Sequence, residues 1–135
     1  AIQYTLPGVP CVYYGDEAGM VGRKDPFCRR CYPWGDENKK LVSFYQELGK
    51  FRVNATSLKN GEFVPIFISK NSFAFIRKHE KENLFCIFNL GESLSVPLPE
   101  NLGSVSSAFG SAKFDANEVS LKEGEFILIK CLNRT

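Results

Sequence analysis

The feature that most limits how this chain can fold is a short apolar run near its start. Residues 9–14 read Val-Pro-Cys-Val-Tyr-Tyr and are followed by Gly15 and Asp16. An apolar run without alternation is typical of a strand that is buried on both faces, as in a parallel sheet. Such a strand needs parallel neighbours, and the rest of the sequence predicts none. We therefore expect residues 9–14 to belong to a sheet whose other strands lie outside these 135 residues.

A long loop and one helix are predicted next. Residues 19–35 are rich in glycine, proline and charged residues, and a loop of this length is usually functional or disordered. Apolar residues then recur at spacings of three and four, which places them on one face of a helix. They are Leu41, Phe44, Tyr45, Leu48 and Phe51. Asp36 or Asn38 is predicted to cap this helix by accepting from its free N–H groups.

From about residue 58 the sequence changes to a β pattern. Short runs of apolar and alternating residues are separated by turn residues. The predicted strands cover residues 63–69, 72–78, 83–89, 94–98, 118–121 and 125–131. Asn60 and Gly61 predict a turn, because both residue types tolerate positive φ. Many short strands at this spacing are typical of an antiparallel sandwich or barrel, so the fold is predicted to be mainly β.

The composition excludes several functional classes. Seventeen basic and fifteen acidic residues give a net charge of +2, which favours neither nucleic acid nor an acidic membrane surface as a partner. No apolar run is long enough to cross a bilayer. Five scattered cysteines argue against a disulfide framework and favour a reducing compartment. We therefore expect a cytoplasmic location, no membrane or nucleic acid partner, and no cofactor.

Two of the cysteines, Cys28 and Cys31, form a Cys-x-x-Cys pattern. This spacing suggests a redox pair or half of a zinc site. A structural zinc ion needs four ligands, and no second pair of cysteines or histidines accompanies this one. A thioredoxin-like pair would open a helix after a strand, whereas this pair lies in a loop flanked by prolines. We predict no metal site here, and a small redox protein is the weakest of the alternatives.

Three stretches of the sequence carry a resemblance to a known family. Residues 6–20 read Leu-Pro-Gly-Val-Pro-Cys-Val-Tyr-Tyr-Gly-Asp-Glu-Ala-Gly-Met, residues 25–34 contain Asp-Pro-x-x-Arg followed by a tryptophan, and residues 44–63 join the predicted helix to the first strand. They resemble strand eight, the substrate-side loop and helix eight of the catalytic (β/α)₈ barrel in the α-amylase family of glycoside hydrolases. The Cys-Arg-Arg-Cys form of the loop is similar to the cyclomaltodextrinase, neopullulanase and maltogenic amylase subgroup.

The resemblance implies both a fold and a function. It implies an antiparallel C-terminal β-sandwich, the family's domain C, at residues 58–135, preceded by the last β/α unit of the barrel at residues 1–57. It further implies the C-terminal fragment of a retaining hydrolase. Such an enzyme cleaves α-glucosidic bonds in cyclodextrins, pullulan or starch oligosaccharides, so an α-glucan or cyclodextrin would be the substrate of the full-length enzyme.

The carboxylates that cut the bond are expected to be missing from this chain. A retaining glycosidase needs two carboxyl groups about 5 Å apart across the bond. In the family resembled, they follow earlier barrel strands, so we expect no catalytic residue here and no activity of the chain alone. Asp16 and Glu17 do not replace them, because neighbours on an extended chain point to opposite sides. Glu17 is instead predicted to support the site.

Asp25 and Arg29 are the predicted substrate-binding residues. In the Asp-Pro-x-x-Arg pattern of the family, these positions hydrogen-bond a glucose unit next to the cleavage point, by charge-assisted bonds. Without the resemblance they would be an ordinary surface ion pair. Trp34, with Tyr32, offers an aromatic face that suits the C–H face of glucose, although a tryptophan packed within its own loop is the structural alternative.

Two further expectations concern binding partners. The alternative function is a free-standing β-sandwich module that binds carbohydrate, which would show paired exposed aromatic residues on one face of the sandwich. Residues 9–14, without neighbours, are expected to be disordered, to dock on the sandwich or to pair between chains. Self-association of the chain is therefore possible, because unpaired apolar strands template association.

Overall fold

The computed structural model describes residues 1–99, 103–115 and 117–133. Its helices are α1 (Ile2–Thr5), a 3₁₀ helix (Asp16–Ala18), α2 (Lys39–Val53) and α3 (Thr56–Asn60). Its strands are β1 (Glu62–Ile68), β2 (Ser72–Lys78), β3 (Glu82–Asn89), β4 (Leu94–Pro97), β5 (Ser104–Gly110), β6 (Lys113–Phe114), β7 (Glu118–Leu121) and β8 (Phe126–Leu132). In this part of the chain no helix is long and apolar enough to cross a membrane.

The strands form two antiparallel sheets. One has five strands in the order β1-β2-β3-β8-β5, and the other has three in the order β4-β7-β6. All six predicted strands form, and their ends differ from the prediction by at most one residue. The predicted antiparallel β-sandwich is therefore confirmed.

The inner strands of the five-stranded sheet are buried on both faces. One face packs against the three-stranded sheet through a core that includes Phe85, Ile87, Val119, Leu121 and Ile129. The other face packs against the helices through a second core that includes Tyr4, Leu48, Leu58, Phe75 and Leu128. This double burial explains why β3 and β8 have almost continuously apolar sequences. The described chain thus has three layers: helices, a central sheet and a smaller outer sheet.

Helix α2 forms where the spacing of apolar residues predicts it. Of the two predicted caps, Asn38 is the one used, and its Oδ1 accepts from the backbone N–H of Leu41 at 3.1 Å. Leu48 is fully buried against the sheet, and Phe44 packs edge-on against Phe126 of β8, with ring centroids 6.0 Å apart. The amphipathic face of α2 therefore fixes the helical layer on the central sheet.

Residues 9–14 do not form the predicted strand. The structure has no helix or strand between Thr5 and Asp16. Val9 is 93% exposed and Tyr13 is 74% exposed. A strand needs a neighbour to satisfy its backbone N–H and C=O groups, and the described residues pair no strand with this segment. Residues 9–14 therefore form no strand within this chain, and their pairing with strands outside these residues stays a prediction.

The structure differs from the sequence prediction at strands β5 and β6 and at the turn predicted for Asn60 and Gly61. Strands β5 and β6 were missed, because β5 reads Ser-Val-Ser-Ser-Ala-Phe-Gly and has little hydrophobic pattern. Asn60 and Gly61 do not form the predicted positive-φ turn. Asn60 instead ends α3, and Gly61 has a φ of −73°.

Both edge strands of the five-stranded sheet are irregular. The register of β1 against β2 shifts between Pro65 and Phe67, and Pro65 has no N–H to donate. The register of β5 against β8 shifts between Val105 and Ser107. Each irregularity interrupts the row of backbone groups that an edge strand would otherwise present.

Candidate functional site

The candidate site lies on the loop between the 3₁₀ helix and α2. Gly15 and Gly19 flank the 3₁₀ helix with φ values of 74° and 76°, which glycine adopts without steric cost. At the other end of the loop, the N–H of Asn38 donates to the carbonyl oxygen of Ala18 at 3.1 Å. The two ends of the loop therefore meet, and its base is fixed on the helical layer.

Asp25 and Arg29 form an ion pair at the surface of this loop. Arg29 Nη2 lies 3.0 Å from Asp25 Oδ2, and the two side chains are 75% and 60% exposed. The Asp25–Pro26 peptide bond is cis, and the N–H of Arg29 donates to the carbonyl oxygen of Pro26 at 3.0 Å. Cys28 Sγ lies 4.0 Å from Asp25 Oδ1. The turn thus brings the two predicted binding residues together and leaves both open to solvent.

Arg30, between the two cysteines, is engaged within the loop. Its Nη2 donates to the carbonyl oxygen of Val21 at 2.6 Å. Together with Cys31 and Asp36 it lines a cavity of about 430 Å³ between the loop and the 3₁₀ helix. Arg30 therefore holds the loop, whereas Arg29 is presented to solvent.

Trp34 lies at the surface rather than within its loop. Its side chain is 83% exposed, and its ring centroid lies 4.6 Å from that of Tyr32 at an interplanar angle of 52°. The structural alternative, a tryptophan packed inside the loop, is therefore not what the structure shows. Desolvation, followed by the negative charges of Glu17 and Glu37, raises the pKa of Tyr32.

Glu17 lies in the 3₁₀ helix, so the extended conformation assumed for Asp16 and Glu17 was wrong. The side chain of Glu17 is half-buried, and its Oε2 is buried without a hydrogen-bond partner among the described residues. The pKa of Tyr45 is raised by desolvation, then by the charges of Asp16, Tyr4 and Glu17. The charge of Glu17 thus contributes to the raised pKa of both Tyr32 and Tyr45.

Glu37 is a residue of the loop that the sequence did not single out. Its Oε1 accepts from the N–H of Gly35 at 3.1 Å. Hydrogen bonds from its own N–H and from that of Gly35 lower the pKa of its carboxyl group. No sequence pattern marked Glu37, because its carboxylate reaches back to a backbone N–H of the preceding turn.

Two pairs on this loop, Asp25 with Arg29 and the half-buried Tyr32 with the exposed Trp34, make up the candidate site. Charged hydrogen-bonding groups and an aromatic face on the same loop suit a ligand that has hydroxyl groups and an apolar ring face. Cys28 and Cys31 are exposed free thiols. Across residues 1–99, 103–115 and 117–133, no group of three or more His, Cys, Asp or Glu side chains is placed to hold a metal ion.

Comparisons with known proteins give the family context. No family model matches the chain. It is 40% identical over 89 residues to a cyclomaltodextrinase of Thermoanaerobacter pseudethanolicus, covering 64% of this chain and 16% of that protein. It is 38% identical over 108 residues to neopullulanase 2 of Thermoactinomyces vulgaris, covering 75% of this chain and 18% of that protein.

A solved structure extends this likeness to nearly the whole chain. The cyclic α-maltosyl-(1→6)-maltose hydrolase of Arthrobacter globiformis, in its ligand-free form, superposes with a TM-score of 0.78 at 25% identity. The superposition covers 96% of this chain and 28% of that protein. This chain resembles part of an α-amylase-family glycoside hydrolase. The resemblance predicted from the sequence is thus confirmed, and the chain spans less than a third of each α-amylase-family protein named here.

Proposed function

We propose that the chain is the C-terminal part of a hydrolase that cleaves α-glucosidic bonds in cyclodextrins, pullulan or starch oligosaccharides by a retaining mechanism. The proposal is supported by relatives named cyclomaltodextrinase and neopullulanase, of whose length the chain spans 16% and 18%. In this proposal the two catalytic carboxyl groups lie on barrel strands outside these residues, and the chain alone does not cleave sugar. Residues 1–57 complete the barrel, and residues 58–135 form the sandwich on which it rests.

The exposed Asp25–Arg29 pair is the observation that carries the proposal. An exposed ion pair contributes only about 0–1 kcal/mol to stability, so its groups can exchange partners at little cost. The carboxylate accepts from sugar hydroxyl groups and the guanidinium donates to them, both by charge-assisted hydrogen bonds. In our proposal these two residues bind the glucose unit next to the cleavage point.

Trp34 and Glu17 have supporting roles in this proposal. The exposed ring of Trp34 provides an apolar surface for the C–H face of a glucose unit on the same loop. In our proposal the half-buried Glu17 supports the site from the 3₁₀ helix at the start of the loop. Five free cysteines, three of them exposed, support a reducing location such as the cytoplasm for the protein.

A free-standing carbohydrate-binding module is less well supported. Such a module would carry paired aromatic residues on one face of the sandwich. Among the described residues of the sandwich, Phe63 and Phe114 are the exposed large aromatic side chains, at 39% and 38%. They lie on β1 and β6, which belong to different sheets. Tyr32 and Trp34, which form an aromatic pair, lie instead on the loop that carries Asp25 and Arg29.

Titration of the isotope-labelled chain with maltotriose and β-cyclodextrin tests the proposal. At millimolar sugar, amide and indole NMR signals of Asp25, Arg29 and Trp34 should shift, whereas no reducing sugar should be released. Asp25→Asn and Arg29→Gln should each weaken binding by about tenfold, because a charge-assisted hydrogen bond is lost. Arg23→Gln is the matched control, since Arg23 is an exposed arginine of the same loop.

The outcomes separate the two functions. Shifts confined to the two sheets would support the binding module and contradict the loop site. Measurable turnover by the chain alone would contradict the assignment of the catalytic carboxyl groups to other residues. Equal binding by the Arg29→Gln and Arg23→Gln variants would remove the proposed role of Arg29.

A further inference from the structure

Charged side chains of the central sheet meet the ends of the helices that pack on it. Lys130 of β8 donates from Nζ to the carbonyl oxygen of Asn54, the C-cap of α2, at 3.3 Å. Glu82 of β3 accepts at Oε1 from the N–H and the hydroxyl of Ser57, in the first turn of α3, at 2.9 and 3.0 Å. Cations at helix C-termini and anions at N-termini are the favourable combinations. The sign of each charge therefore matches the helix end that it contacts.

Arg77 of β2 is the most deeply buried of these charges. It is 3% exposed, and it donates from Nη1 to the carbonyl oxygen of Thr5 at 3.0 Å. From Nη2 it donates to the carbonyl oxygen of Gly61 at 2.9 Å. Thr5 is the last residue of α1, and Gly61 is the C-cap of α3. One guanidinium thus ties the ends of two helices to the central sheet.

Arg52, in the last turn of α2, also contacts the segment that follows α1 and its last residues. It donates from Nη1 to the carbonyl oxygen of Tyr4 and from Nη2 to that of Gly8, the latter at 2.6 Å. Arg52 and Arg77 thus donate to the carbonyl oxygens of adjacent residues, Tyr4 and Thr5, which brings the two cations near each other. Burial is the main cause that lowers the pKa of Arg77. Among the described residues neither arginine forms a salt bridge with a carboxylate.

Two neighbouring cations without a carboxylate are costly to keep unless other groups stabilise them. Burying a charge is unfavourable unless it is paired or hydrogen-bonded, and like charges repel. Here the compensating groups are backbone carbonyl oxygens of residues 4, 5, 8 and 61, while Arg77 Nε has no hydrogen-bond partner among the described residues. Carbonyl groups at a helix end have no partner within the helix, so each guanidinium satisfies groups that would otherwise be unpaired.

We propose that Arg52 and Arg77 act as a clamp that couples the sandwich to residues 4–8. The clamp fixes the point from which residues 9–14 lead to the 3₁₀ helix and the candidate loop. Beyond Gly8, this segment has few hydrogen bonds in the structure: Cys11 O accepts from Gln3 Nε2 at 2.6 Å, and Tyr13 O accepts from Asp16 N–H at 2.9 Å. The sandwich thereby sets the position of a segment that does not pack on it. This inference does not depend on sugar binding.

Hydrogen exchange in the purified chain tests the clamp. Arg52→Met keeps the apolar stem and removes both donors, and Lys50→Met is the matched control, because Lys50 is an exposed cation in the same helix turn. The amides of Tyr4 and Leu6 report on the clamped residues, since they donate to Ala1 O and Ile2 O. In Arg52→Met these amides should exchange at least about tenfold faster than in Lys50→Met, while amides of β3 and β8 keep their rates.

Two results would overturn the clamp. If Arg52→Met and Lys50→Met gave the same exchange rates at Tyr4 and Leu6, Arg52 would not hold this segment. If exchange rose equally at Tyr4, Leu6 and the amides of β3 and β8, Arg52 would stabilise the whole fold without coupling two parts of it. Arg52→Lys should give an intermediate rate, since one ammonium group reaches fewer of the carbonyl oxygens than a guanidinium does.

Discussion

The central sheet and residues 9–38 are held in place by different forces. The sheet is stabilised by two apolar cores, and its inner strands are buried on both faces. Residues 9–38 have mainly local hydrogen bonds, and they expose Val9, Tyr13 and Trp34. Segments with few buried contacts are the ones that open at low free energy, and binding residues are often found on them. The well-packed central sheet therefore supports a loop that is held by few buried contacts.

The largest expected difference between the two regions is in thiol reactivity. Cys86 and Cys131 are fully buried in the sheet, and burial raises the pKa of both thiols. Cys11, Cys28 and Cys31 are exposed. Because only the thiolate reacts, we expect the exposed thiols to react with a disulfide reagent about a thousandfold faster.

Time-resolved labelling with Ellman's reagent and mass spectrometry measures this difference. Two sets of rates should appear in native protein and merge in concentrated urea, and Cys11→Ser should remove one fast thiol. Similar rates for all five cysteines in native protein would show that the sheet opens as readily as the loop.

The next largest difference is the loss of stability when an apolar side chain is shortened in the helix–sheet core or in residues 9–14. Leu48 is 1% exposed between α2 and the sheet, so Leu48→Ala should lower the free energy of unfolding by about 3 kcal/mol. Val9 is 93% exposed, so Val9→Ala should change it by less than about 0.5 kcal/mol. Urea unfolding followed by circular dichroism measures both. A cost for Val9→Ala near that for Leu48→Ala would mean that residues 9–14 are packed in solution, through docking or through self-association.

The smallest expected effect is the pH dependence of stability. Burial raises the pKa of Cys131 from 9.0 to about 11. The folded state therefore retains a proton that the unfolded state loses, and the stabilisation is complete below pH 9 and lost as pH rises through 11. The free energy of unfolding should fall by up to about 1.4 kcal/mol per pH unit in this window. Cys131→Ala should reduce this slope, measured by urea unfolding at pH 8 and pH 10, whereas Cys11→Ala should leave it unchanged.

The sequence predicted those elements whose residues carry a periodic pattern. Helix α2 and the predicted strands show the apolar spacing of a helix face or a strand, and the structure has them where expected. Residues 9–14 form no strand in this chain, although their apolar sequence is typical of one. The sequence pattern shows that a segment can be a strand, but pairing also requires a neighbouring strand. Strand β5 was missed because it is held by pairing with β8 at a sheet edge, which needs few apolar residues.

The candidate site was predictable in part, and for a different reason. The family's Asp-Pro-x-x-Arg motif singled out Asp25 and Arg29, and the structure places their charged groups 3.0 Å apart. The surroundings of Glu17 were not predictable, since its contacts come from residues far along the loop and on α2. The contacts of Arg77 were not predictable either, because only the packing of the helices brings the carbonyl oxygens of Thr5 and Gly61 to its guanidinium.

The irregular edges of the five-stranded sheet have a consequence for how this protein behaves at high concentration. A regular outer strand would accept a strand from another molecule, and such additions can continue into fibres. The register of β1 shifts beside Pro65, and that of β5 shifts beside Ser107. Neither edge strand therefore presents an uninterrupted row of backbone groups to which another strand could pair. Both edge strands of this sheet therefore disfavour its lateral growth by addition of a strand from another molecule.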